Sequence, residues 1–207
     1  MKPARLPVVL SCAAALSALS ACATTPPVAA PQDGFWQALS SHCGKAFAGR
    51  MVSDEAADAD MRGAAMVMHV RECSASRIAV PFHVQRADGS WDRSRTWLIT
   101  RTRSGTSSGT RAGTAAGLRL KHDHCHADGQ PDAMTRYGGD TAAPGSAAVQ
   151  EFPVDAESVA LFRAEGRTVS VTNVWRVEVT PAASPNARFA YQLIRQPPNA
   201  RNFRVEF

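Results

Sequence analysis

The sequence has no glycine-rich phosphate loop, no paired Cys-x-x-Cys motif and no pair of carboxylates at a spacing suited to acid–base work. Nucleotide hydrolysis, thiolate zinc binding and glycosidase-type chemistry are therefore without sequence support. It also lacks a dense Lys/Arg cluster interleaved with aromatics, so nucleic acid has no evident surface to bind. The formal charge of +5 is spread thinly over 207 residues. The one long apolar stretch, Leu6 to Ala21, falls short of the roughly 20 residues that a spanning helix needs.

That stretch follows the short basic segment Met1-Lys2-Pro3-Ala4-Arg5, and together they have the layout of an export signal. Its end, Leu19-Ser20-Ala21-Cys22, resembles the lipobox of bacterial lipoproteins. The resemblance implies cleavage before Cys22 and acylation of that cysteine, with fatty chains such as palmitate holding the protein to a membrane. Residue 23 is alanine rather than aspartate, which by the sorting pattern of such lipoproteins implies the outer membrane, facing either the periplasm or the exterior. An ordinary secretory signal, cut at an Ala-x-Ala site in the same alanine-rich text, is the alternative. The organisation expected is a signal peptide over 1–21, a lipidated Pro-rich tether over 22–33 and one β domain over 34–207. The remaining chain is long enough for one core and short for two. Loss of Lys2 and Arg5 with the signal leaves a mature charge of +3.

Cys12 leaves with the signal and Cys22 carries the lipid, so Cys43, Cys73 and Cys125 remain in the folded part. Three is odd, and one stays unpaired. If Lys45–Val52 and Ala64–Glu72 form a symmetric hairpin around the acidic loop 53–63, Cys43 comes opposite Cys73. A disulfide between them is therefore expected in an oxidising compartment.

The rest of the chain alternates with period two. Asp33 is expected to cap a short helix carrying Phe35, Trp36 and Leu39 on one face, ended by Gly44, with His42 within it. Strands follow at 77–85, with Ile78, Val80, Phe82 and Val84 inward, and at 95–103 and 118–126. Pro81 cannot donate to a ladder and suggests an edge or a bulge. Residues 104–117 are low-complexity Gly/Ser/Thr/Ala text read as a loop. Short extended pieces at 134–137 and 149–154 precede a helix over 156–165 that turns Val159 and Phe162 inward and closes at Gly166. A long strand is expected over 168–179, then strands at 189–195 and 202–207. This pattern predicts a mainly β fold, an antiparallel β-barrel or a sandwich with one or two short helices. The order of elements resembles the calycin architecture of lipocalins, although no lipocalin signature is present.

Lys121-His122-Asp123-His124-Cys125-His126 is the one dense constellation. Alternation puts His122, His124 and His126 on the face of Leu118 and Leu120, directed at the barrel interior or its mouth. His122 and His124 together have the spacing to hold one divalent metal, whereas all three cannot converge on one ion in a regular strand. Polar recognition, pH sensing and plain solvated histidines are the other readings. Asn173 and Trp175, on one face of the late strand, are ligand-contact candidates. Gly105-Thr106-Ser107-Ser108-Gly109 matches the Gly-x-Ser-x-Gly pattern but lacks the strand–turn–helix setting that a nucleophile requires.

Arg93-Ser94-Arg95-Thr96-Trp97, Gly117–His126, Met134–Asp140, Gln150–Asp155, Val171–Val177 and Asn202–Phe207 together resemble a family of uncharacterised bacterial secreted proteins. The resemblance spans most of the chain after Phe35. It implies that 104–116 is an insertion here and that Cys125 stands where a basic residue is usual, and it assigns no catalytic residue. Three functions stay open: a non-enzymatic outer-membrane lipoprotein whose β domain binds a small ligand or an envelope partner, a metal-dependent hydrolase using His122 and His124, and a purely structural envelope protein.

Overall fold

The computed structural model describes Met1 and residues 30–103 and 115–207. The signal peptide, Cys22, most of the tether and the segment 104–114 with its Gly-x-Ser-x-Gly match lie outside the described residues.

Among the described residues, eleven strands form one antiparallel sheet: β1 (Ala46–Met51), β2 (Met66–His69), β3 (Glu72–Cys73), β4 (Arg77–Gln85), β5 (Trp91–Arg103), β6 (Ala115–His124), β7 (Tyr137–Asp140), β8 (Val149–Pro153), β9 (Val174–Val179), β10 (Phe189–Arg195) and β11 (Arg201–Glu206). The order is β7-β6-β5-β4-β2-β1-β11-β10-β9-β8, with β3 pairing β4 outside that path. The terminal strands meet at a Gly139–Val154 bridge, so the sheet curls into a nearly closed barrel and the sandwich alternative is set aside. Glycine makes that seam. A Cβ on Gly139 would lie 1.7 Å from the Pro153 carbonyl oxygen, and on the other side of β7 one on Gly138 would lie 1.9 Å from the Leu120 carbonyl oxygen of β6.

Inward residues of the strands build one core, including Met66, Ile78, Val80, Ile99, Leu118, Leu120, Phe152, Val177 and Val205. Helix α1 (Pro31–Ser40) adds Phe35, Trp36, Ala38 and Leu39 to it. Its contacts fall on strand ends at a single end of the barrel. Asp33 pairs with Arg101 near the end of β5, Gln32 reaches Thr141 after β7, and the Ser41 hydroxyl accepts from the Ala182 amide after β9. The Cys43–Cys73 disulfide, with Cα atoms 6.3 Å apart, also ties this end, as the hairpin reading anticipates. Helix α2 (Ala156–Ala164) lies beside the seam near the other end. Its cap Asp155 accepts from the Ser158 amide at 2.8 Å, and the Ser158 hydroxyl accepts from the Gly138 amide at 2.7 Å.

Several boundaries differ from the sequence reading. Helix α1 starts at Pro31, whose missing amide hydrogen suits a first turn, and Asp33 sits within that turn instead of capping it. Gly44, at φ +78°, ends the turn after it, and buried His42 lies beyond the helix, bonded through Nε2 to the Thr180 carbonyl at 2.7 Å. Residues 56–61 of the acidic loop wind into a 3₁₀ helix. Strand β4 is not an edge strand. Pro81 is tolerated because the strand beside it breaks between β2 and β3, and the register also shifts between Phe82 and Val84. In α2, Ser158 is buried beside Phe162 where Val159 was expected. The long late strand is shorter than its alternation suggests, because 168–172 form a 3₁₀ helix that exposes Val169 and only Val174 onward joins the sheet. Residues 115–117 of the expected loop belong to β6, and Cys125 and His126 fall beyond its end.

Candidate functional site

At the barrel end opposite α1, the interior opens into a cup of about 300 Å³. Cross-strand register explains its walls. Trp97 on β5 pairs with His122 on β6, which pairs with Tyr137 on β7, so three flat side chains stand side by side on the inner face. One step nearer the mouth, Arg95 pairs with His124. Across the barrel, β10 contributes Tyr191 at the level of Trp97 and Leu193 above it, with Phe203 of β11 opposite Leu193. Arg201, at the start of β11, and Met61, from the 3₁₀ helix after β1, complete the mouth. Along β6 the inner face thus runs Leu118, Leu120, His122, His124, from sealed core to open cup.

The aromatic groups pack as flat walls. Trp97 stacks on Tyr191 at 4.4 Å between centroids and 15° between planes, and on Phe82 at 4.8 Å and 12°. Tyr137 stacks on His122 at 4.6 Å and 13°.

His122 is buried, and both its ring nitrogens are engaged. Nδ1 lies 3.1 Å from the Tyr137 carbonyl oxygen and Nε2 lies 2.7 Å from the Tyr191 hydroxyl. A carbonyl can only accept, so Nδ1 carries the hydrogen and Nε2 accepts from Tyr191. Burial pushes the His122 pKa down to about 3, which keeps the ring neutral. The same burial pushes Tyr137 up to about 12 and Tyr191 well above the usual phenol range, so both hydroxyls stay protonated. His124 is also held below the ordinary histidine value, first by burial and then by the Arg95 charge, and its Nε2 lies 3.3 Å from the Tyr137 hydroxyl.

The two arginines are steadied from behind. Arg95 Nη1 donates to Asp92 at 2.5 Å, and Arg201 Nη2 donates to buried Asp58. Neither acid lines the cup.

The structure distributes the sequence candidates unevenly. His122 and His124 line the cup, with rings 6.5 Å apart and nearly perpendicular. Both His122 nitrogens already serve protein partners, and among the described residues no three His, Cys, Asp or Glu side chains cluster as metal ligands. His126 does not converge with them. It is exposed in the turn after β6 and lines a separate outer groove with Cys125, because the strand ends at His124. Trp175 is buried behind the cup, 5.0 Å from the His122 ring. Asn173 lies outside the cup and accepts from Arg195 Nε at 2.8 Å. Sequence reasoning did not select Arg95, Trp97, Tyr137, Tyr191, Leu193 or Arg201 as site residues. Period-two alternation from Ile99 back to Arg95, and across Phe189, Tyr191 and Leu193, is the signal that marks most of them. A larger outer groove of about 470 Å³ beside β8 and β9 has Glu151 and Arg176 paired to each other at 3.0 Å, leaving it a mainly apolar surface.

Comparison of the chain with protein-family models, curated proteins and solved structures finds no match.

The cup can enclose a small molecule between aromatic walls and offer it donors from two guanidiniums, while the Tyr191 hydroxyl already donates to His122 and the Tyr137 hydroxyl is bonded to His124. Among the described residues lining it there is no serine, cysteine or carboxylate to act as a nucleophile.

Proposed function

We propose that this chain is a lipoprotein of the outer membrane whose barrel is a binding module, taking a small ligand into the aromatic cup. The carrying observation is the cup itself: a preformed concavity of about 300 Å³, apolar over most of its wall with a few convergent polar groups, which is the general form of a small-molecule site. The nearly closed antiparallel barrel supports a calycin-like reading, in which ligands enter at one open end. The export signal and the lipobox resemblance at Cys22 support the address, and the Cys43–Cys73 disulfide fits an oxidising compartment.

In this reading the tether joins the barrel through α1, at the closed end, and the cup opens away from the anchoring bilayer. Neutral His122 acts as a positioning residue: its two hydrogen bonds hold the Tyr137 backbone and the Tyr191 hydroxyl in the cup wall. Filling the cup by Leu193→Trp tests the proposal. Small molecules that stabilise the wild-type chain are expected to leave the filled variant unaffected, and equal stabilisation of both would refute the cup as the site.

A further inference from the structure

The ligand class follows from which charges face the cup, and the inference rests on reading the cup as a binding site. Among the described residues lining it, Arg95 and Arg201 are the permanently charged ones, and both are cationic. Asp92 and Asp58 each engage one arm of their arginine from outside the lining, which fixes the guanidinium without exhausting its five donors. Arg201 Nε and Asp58 Oδ2 are both buried without a partner, so the two side chains meet through one arm only, and the rest of the guanidinium is left to line the cup. Arg195 stands close enough to Arg201 for the two charges to repel, and is itself bonded to Asn173 and Ser170. Glu55 and Asp132 act on this region from outside the lining as well; Glu55 is bonded to the Asn202 amide. The cavity therefore presents cationic donors inward and keeps its acids behind them.

The body of the ligand is set by the walls. Trp97 stacks with both Phe82 and Tyr191, and Tyr137 with His122, so the walls are close-packed aromatic groups whose remaining edges and outer surfaces form a flat apolar lining. The volume lies at the lower limit of small-molecule sites, which suits one or two fused rings.

We propose that the cup binds a small organic anion with a flat, ring-like body and one carboxylate or comparable oxyanion, Arg95 and Arg201 holding the oxyanion while Trp97 and Tyr137 hold the body. Charge-assisted bonds from two guanidiniums then supply selectivity for negative charge.

Calorimetric titration of the full chain in zwitterionic micelles, with 2-naphthoate and with 2-naphthylmethylamine, tests this; Leu193→Trp in the same micelles measures partitioning into detergent. Naphthoate is expected to bind at least about tenfold more tightly than the amine. Arg95→Gln, at a side chain 36% exposed, is expected to weaken naphthoate about tenfold or more and not to weaken the amine. Arg201→Gln is made together with Asp58→Asn, so that no buried carboxylate is left alone, and the same loss is expected. Equal affinity for the two probes, or no loss in folded arginine variants, overturns the anion assignment; if Leu193→Trp still abolishes binding, the cup stands as a site. No signal above the Leu193→Trp background overturns both.

Discussion

His122 occupies a place where a histidine cannot ionise without cost: it is enclosed by Tyr137, Trp175 and Tyr191, with its one proton committed to a carbonyl. Its folded pKa of about 3 lies below the 6.5 of a free histidine, so between those values the unfolded chain binds the extra proton. The stability it contributes is complete above pH 6.5 and declines as pH falls toward 3, by at most about 1.4 kcal/mol per pH unit. Asp92 and Glu178, held to about 2 by their hydrogen bonds and neighbouring arginines, lose their contribution only at lower pH, through the carboxylate range. The interval between pH 6.5 and 5 therefore belongs to the histidines, with smaller shares from His124 and His83, both also shifted down by burial. Melting temperature is expected to fall across that interval in the wild type and to fall less in His122→Gln, and an unchanged slope in the variant would contradict the assignment. The position was legible in the sequence, since alternation from Leu118 and Leu120 aims His122 inward. Its role was not, because Tyr137 and Tyr191 lie 15 and 69 residues away and no local pattern announces that they meet it.

At the scale of elements, the barrel depends on two closures. The Cys43–Cys73 bridge spans a separation of 30 residues, for which loop entropy gives about 3–4 kcal/mol. Replacing both cysteines by serine is expected to lower the urea midpoint and, because the unfolded chain expands, to raise the slope slightly; an unchanged midpoint would show that the bridge adds nothing to stability. The second closure is the β7–β8 seam. Gly139→Ala would drive a methyl group into the Pro153 backbone, and a loss of about 2–4 kcal/mol is expected. A loss below about 0.5 kcal/mol would mean that the strands separate easily there. The disulfide was readable from hairpin symmetry, and most strands from period two. Element ends were less readable because tertiary partners set them. Asn173 bonds to Arg195 and to the Val154 amide, which holds the preceding residues in a 3₁₀ turn even though Val169, Val171 and Asn173 continue the strand alternation. Strand β4 keeps Pro81 centrally because its neighbour breaks beside it, something only the pairing partner reveals.

For the whole molecule, the anchor proposed at Cys22 precedes α1 in the chain, and the cup opens at the barrel end opposite α1. Radiolabelled palmitate is expected to enter the wild-type chain and not Cys22→Ala; equal labelling of both would remove the anchor from the account. The barrel could be read from nine or ten short strands with regular turns, but the cup could not. Its lining comes from β4, β5, β6, β7, β10 and β11 and from a 3₁₀ helix hidden in acidic loop text, so it exists only once the sheet has closed. The central claim, that this cup is a binding site, is tested most directly by calorimetric melting of the wild-type chain and Leu193→Trp across a panel of small flat molecules. A ligand present at a hundredfold its dissociation constant adds about 2.7 kcal/mol, a rise of several degrees for a domain of this size. Such rises are expected for some compounds in the wild type and none for the same compounds in Leu193→Trp; rises of the same size in both, or none in the wild type, would contradict a binding site in the cup.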